Sequence, residues 1–182
     1  MARLVLLFFL LVIFFIISSC CAGPLNGTEL VKEVCNHTSD YNFCVQTLSS
    51  DANAGASEAL AKELVNAALR LAQIKGSSSQ DLITHHLNNA STSAAEKQLL
   101  QRCLVDNGKV ISELSLANND LNSDSILDMV EEMQGAAAAA ENCQYIIKDT
   151  RFTALEDMNR VLMKLCEIGI VSTKYFSAAD FY

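Results

Sequence analysis

From residue 57 onward the apolar positions of this chain recur every three or four residues, the spacing that lines one face of an α-helix. A first stripe runs Leu60, Leu64, Ala67, Leu71, Ile74, Ser78 and Leu82. It stays in phase across the weak stretch at residues 76–79, because Leu71 and Leu82 are eleven residues, three full turns, apart. The pattern therefore predicts one long helix from about Ser57 to Asn88 in place of two joined by a linker. A second helix opens on a capping box, Ser93 with Glu96, and carries Leu99, Leu100, Cys103, Val110 and Leu114. A third begins near Ser123 or Ser125 and carries Ile126, Val130, Met133, Ala137, Ala140 and Ile147. Its alanine run at residues 136–140 makes a face that a neighbour can approach closely. A fourth opens on a second box, Thr153 with Glu156, and shows Leu155, Met158, Leu162, Leu165 and Ile168. Each stripe covers one side only, so the helices must bury their stripes against one another. Short connections make neighbours antiparallel, which gives an all-α, up-down-up-down four-helix bundle. No sustained period-two alternation competes with this reading, Pro24 is the only proline and tryptophan is absent.

The N-terminus is of another kind. Arg3 precedes an uncharged apolar run at residues 4–17, followed by small residues at 18–23. Fourteen apolar residues fit the core of a signal peptide and fall short of a membrane span. We expect a signal peptide over 1–22, cut after Ala22, and one mature domain over 23–182. Within it, 23–52 forms an N-terminal helical hairpin and 53–182 the bundle. The net charge is −8, and loss of Arg3 makes it −9, with 12 basic against 21 acidic residues. An acidic chain without a basic cluster is a poor partner for nucleic acid or anionic membrane. Export makes three sequons usable, at Asn26, Asn36 and Asn89.

Five cysteines remain after the cut: Cys35, Cys44, Cys103, Cys143 and Cys166. Cys103 and Cys143 are centred on residue 123, inside the polar stretch 118–124 that should turn the second helix into the third. They therefore face each other across an antiparallel pair. A bridge closing that loop contributes about 4 kcal/mol on chain-entropy grounds. Cys35 and Cys44 then pair locally and tie the hairpin, which leaves Cys166 as a buried free thiol.

The chain offers little chemistry. His85 and His86 are neighbours in sequence and point about 100° apart on a helix, and His37 stands alone. There is no nucleophile elbow, phosphate loop or dinucleotide fingerprint. We expect no catalysis, no cofactor and no metal. One stretch competes: Asp120, Asn122, Asp124, Asp128 and Glu131 stand at positions 1, 3, 5, 9 and 12 of a calcium-binding loop, with Leu127 at position 8. Ser125 occupies the sixth position, where such loops need glycine, and a Cys103–Cys143 bridge opposes splaying of the helices. The alternative from a different class is accordingly a calcium-binding helical protein using Asp120 to Glu131. The favoured reading of these residues is a solvated turn at a helix N-terminus.

The phrase Cys35-Asn-His-Thr-Ser-Asp-Tyr-Asn-Phe-Cys44-Val-Gln-Thr-Leu-Ser-Ser-Asp51 resembles the opening of plant invertase and pectin methylesterase inhibitors. Two cysteines flank eight residues that include a threonine and a tyrosine, ahead of a Leu-x-Ser-Asp-like exit. The later cysteine pair and the signal peptide match as well. The resemblance implies a bundle with an N-terminal hairpin that blocks the substrate cleft of a plant carbohydrate enzyme in a 1:1 complex. It implies secretion to the apoplast and cell wall, with the vacuole as the other location. The second and third helices would supply the contact, from the candidate set Asp106, Asn107, Glu113, Asn118, Asn119, Asp120, Asp124, Asp128 and Glu131. The chain departs from the pattern at Asn107, where a tyrosine is usual, and lacks a Pro-Lys-Phe motif found in invertase inhibitors. That absence, with Cys166 in the last helix, favours pectin methylesterase over acid invertase; the phrase from Tyr41 to Leu48 sounds invertase-type.

Overall fold

The computed structural model describes residues 27–49 and 57–176, with side chains from residue 60 in the second stretch. The expected signal peptide and Asn26 lie outside the described residues. The elements are α1 (Gly27–Asn36), α2 (Tyr41–Leu48), α3 (Ser57–Asn88), α4 (Ala94–Asn122), α5 (Ile126–Ile147) and α6 (Thr153–Ser172), closed by a 3-10 turn over Thr173–Tyr175. No strand occurs among the described residues.

Helices α3 to α6 form the bundle, with α3 on α4, α4 on α5, α5 on α6 and α6 back on α3. The glycine and three serines at 76–79 do not interrupt α3. The buried side of α3 beyond its midpoint is nevertheless not the stripe expected from the sequence. Leu69, Ala72, Ser79 and Ile83 are buried, whereas Ile74 is 51% exposed and Leu71, Ser78 and Leu82 are only partly covered. Leucine and isoleucine outweigh glycine and serine on a hydropathy scale. Close helix packing selects the small residues instead, and at Gly76 a Cβ would already touch Val110 and Ile111 of α4.

Helix α4 begins on the expected capping box: Ser93 N–H donates to Glu96 Oε2 at 2.8 Å, and Glu96 N–H donates to Ser93 Oγ at 3.3 Å. The second expected box does not form. Phe152 occupies the N-cap of α6 without a side-chain cap, and Thr153 is exposed as the first helical residue. Burial decides this, because Phe152 packs with Ile83, Leu100, Ile147 and Leu155 in the core at that end of the bundle. In α5 the expected stripe is shifted in part, since Met129, Ala136 and Cys143 are buried while Val130 and Ala137 lie at its edge.

The hairpin α1–α2 is closed by Cys35–Cys44, with Cα atoms 5.4 Å apart. It seats Leu30, Val34 and Leu48 against Leu60, Leu64 and Ile168 of α3 and α6. Two polar links fasten it to α6: Lys164 Nζ donates to Asp40 Oδ2 at 2.7 Å, and Ser39 N–H donates to Glu167 Oε1 at 2.8 Å. The lysine holds the Asp40 carboxyl below its usual range, helped by the Phe43 N–H.

Candidate interaction face on α4 and α5

Because the hairpin packs on α3 and α6, the α4–α5 pair is left with an uncovered outer side. The turn between them is short. Helix α4 continues through Asn122 and α5 starts at Ile126, with Asp124 in the left-handed backbone region at φ 58°. Ser125 N–H donates to Asp120 O at 2.8 Å. Asp120 and Asn122 are thus helical, and within residues 120–131 only 123–125 turn between the two helices, a backbone unlike a twelve-residue calcium loop. Among the described residues no three His, Cys, Asp or Glu side chains converge as a metal site.

Cys103 and Cys143 are bonded across the pair, Cα to Cα 4.7 Å. The register that faces these two also brings Asp106 opposite Asn142, whose Nδ2 donates to Asp106 Oδ2 at 2.8 Å. Two turns beyond, Glu113 lies against α5 at Gly135, and Lys109 Nζ stands 3.7 Å from Glu113 Oε1. Asp106, Glu113 and Asp120 are seven residues apart in sequence and so share one line along α4. Asp128 and Glu131 are exposed on α5 beside Glu132. Glu132 is the one strongly perturbed acid of this seam. Its hydrogen bond to Glu113 comes first, then burial, then the charges of Glu113, Asp120 and Glu131, and together they push its carboxyl up to about 7.

Not every expected contact residue belongs to this face. Asn107 is 3% exposed and donates its Nδ2 to Gly76 O at 3.1 Å, so it links α4 to α3 inside the core and is unavailable to a partner. A polar side chain can take a core position when it finds a buried carbonyl to bond, which composition does not reveal. Asp124 pairs with Lys62 of α3 at the end of the bundle. Asn118 is half-buried, and the carbonyl of Asn119 accepts from Ser123. The structure adds groups that sequence reasoning passed over. Val105 at 74% exposed, Leu127 at 76% and Leu116 at 46% stand outward on the same two helices, and Glu132 and Gly135 form the seam. The cysteine register, carried a few turns further, would have placed Glu132 opposite Glu113.

Of the sequons, Asn36 is exposed at the end of α1 and Asn89 lies in the α3–α4 turn, its Oδ1 accepting from Ser91 N–H and Oγ–H at 2.9 Å each. Both are off the α4–α5 face. Cys166 is a free thiol buried between α6 and its neighbours, and burial pushes it up to about 12.

A family model described as plant invertase/pectin methylesterase inhibitor matches residues 29–171. No curated protein sequence matches significantly. Among solved structures, a mutant form of a pectin methylesterase inhibitor from Arabidopsis is similar at TM-score 0.70 and 18% identity, over 79% of this chain and 95% of that one. A pectin methylesterase inhibitor from Arabidopsis thaliana is similar at TM-score 0.60 and 19% identity, over 79% and 93%. These likenesses establish the fold.

Proposed function

This chain belongs to the plant invertase/pectin methylesterase inhibitor family, and from that premise we propose that it is a secreted inhibitor whose α4–α5 face occludes the substrate cleft of a pectin methylesterase in a 1:1 complex. The observation that carries the reading is the composition of that face. Carboxylates Asp106, Glu113, Asp120, Asp128 and Glu131 alternate with the exposed aliphatic groups Val105, Leu116 and Leu127, on the side the hairpin leaves bare. Apolar side chains ringed by charge suit a protein partner, which would bury about 800 Å² on each side and draw most of its affinity from a few central residues. The protein supplies shape and charge and performs no reaction.

The fold likeness to two pectin methylesterase inhibitors and the missing Pro-Lys-Phe motif favour pectin methylesterase. Acid invertase is the second reading, favoured by the phrase from Tyr41 to Leu48. The signal peptide at 1–22 and glycans at Asn26, Asn36 and Asn89 would accompany passage to the apoplast. No helix among the described residues is long and apolar enough to cross a membrane. Titrating the oxidised protein against both purified enzymes tests the choice. We expect stoichiometric loss of pectin methylesterase activity, weakened at least about tenfold in an Asp120→Lys/Glu131→Lys double variant. Inhibition of invertase alone would reverse the target, and full activity of the double variant would move the contact off this face.

A further inference from the structure

Where α5 ends and α6 begins, the two helices border an open groove of about 650 Å³. Glu141, Tyr145, Lys148 and Asp149 line it from the α5 end, and Glu156 and Met163 line it from α6. The groove lies on the α6 side of α5, whereas Asp106 and Glu113 meet α5 on its α4 side. Tyr145 is 79% exposed at this wall, and Glu141 stands one turn before it on the same side of α5. Glu156 and Met163 are seven residues apart, two turns or about 10 Å along α6. The charges around the groove do not cancel. Three carboxylates, Glu141, Asp149 and Glu156, stand with one ammonium, Lys148, and none of the four has an ion-pair partner among the described residues. The other cations of the turn and of α6 are already engaged: Arg151 with Glu96, Arg160 with Asp157 and Lys164 with Asp40. The negative end of α5 adjoins the positive end of α6 here, so the helix dipoles offset and the side chains set the sign.

We propose that this groove binds an aliphatic polyamine, with ammonium groups at Glu141, Asp149 and Glu156 and the methylene runs between them on Tyr145 and Met163. The net charge of the lining disfavours an anion, a polyuronate included. A point cation is served no better, because among the described residues no three acidic, His or Cys side chains converge to hold a metal ion. Carboxylates spread along a groove match a ligand whose own charges are spread along a chain. Between those charges the ring face of Tyr145 attracts an ammonium group. The Met163 thioether and the stem of Lys148 offer apolar contact to methylenes. A neutral sugar could use the ring but would leave the carboxylates unanswered. The volume lies within the range of small-ligand sites. The site belongs to this chain alone and stands whether or not the α4–α5 face binds an enzyme.

The test titrates the ¹⁵N-labelled, oxidised protein with spermidine and follows the backbone amides by NMR. We expect saturable shifts confined to the end of α5, the turn and the first half of α6. A Glu141→Gln/Glu156→Gln double variant should bind at least about tenfold more weakly. Tyr145→Leu, which keeps apolar bulk without the ring face, should lose at least about threefold. Lys148→Gln removes the opposing ammonium and should bind more tightly. The amide spectrum of each variant establishes that it is folded. Magnesium at equal ionic strength should leave the same amides in place. No binding, shifts spread over the whole acidic surface, or equal displacement by magnesium would overturn the site. Unchanged affinity in the double variant would overturn the assignment of its carboxylates. A neutral galactoside that moves these amides where spermidine does not would overturn the cation. A trilysine peptide of equal charge that binds there more tightly than spermidine would replace the free polyamine with a basic segment of a protein.

Discussion

At the scale of single residues, the core of this bundle is partly polar, and the polar groups are not equally well served. Asn107 finds Gly76 O, whereas Ser79 Oγ and Asn159 Nδ2 are buried without a hydrogen-bond partner. A buried hydroxyl that bonds nothing carries its desolvation cost with no return. Ser79→Ala should leave the protein at least as stable as the wild type, by up to about 1 kcal/mol, in a urea melt. Asn107→Ala should destabilise it by about 1–3 kcal/mol, because it both opens space and removes a buried hydrogen bond between α4 and α3. Cys166 tests burial in another way. Its thiol is pushed up to about 12, so almost none is thiolate near neutrality. A thiol reagent should label it only after denaturant unfolds the chain, and labelling of the native protein at the rate of a free peptide thiol would show the site to be open. The cysteine's position in an apolar stripe announced its burial. Spacing put Asn107 in the stripe as well, four residues after Cys103 and three before Val110, but an asparagine flanked by aspartate and glycine reads as surface.

At the scale of elements, the two expected capping boxes separate local from tertiary control. Both satisfy the same four-residue signature, but only Ser93 and Glu96 make the reciprocal bonds, with Arg151 Nε adding a third contact at 2.8 Å to Glu96 Oε1. Ser93→Ala should therefore cost about 1 kcal/mol, and Thr153→Ala close to nothing. Equal losses from the two in parallel denaturation curves would contradict the caps as described. The bridges act over different distances. Cys103–Cys143 closes a loop 40 residues apart in sequence, and replacing both cysteines by serine should remove about 4 kcal/mol. Cys35–Cys44 closes only nine, so its removal should act mainly by freeing the hairpin from α3 and α6. Proteolysis at residues 36–40, without loss of the bundle's helicity, is the expected signature.

For the whole molecule, charge sets a window of pH. On the acid side the depressed carboxyls of Asp40, held by Lys164, and Glu96, held by Ser93 and then Arg151, contribute stability that is present above their ordinary range and lost as pH falls through their lowered values. On the other side Glu132 contributes stability that is lost as pH rises through about 7. The melting temperature should accordingly peak in the weakly acidic range and fall in both directions, and Glu132→Gln should flatten the upper limb alone. The sequence by itself determined the helices, the length of α3 through its glycine and serines, the antiparallel order and the facing of Cys103 with Cys143. These follow from periodicity, capping chemistry and register, which are properties of neighbours along the chain. Only the tertiary structure decided which side of α3 is buried beyond Leu69, why Phe152 displaces a threonine cap, that Asn107 finds the Gly76 carbonyl, and that the Glu113 carboxyl lies over Gly135. Each of those outcomes is a competition between groups far apart in sequence for the same space or the same hydrogen bond, and it is settled when the helices pack.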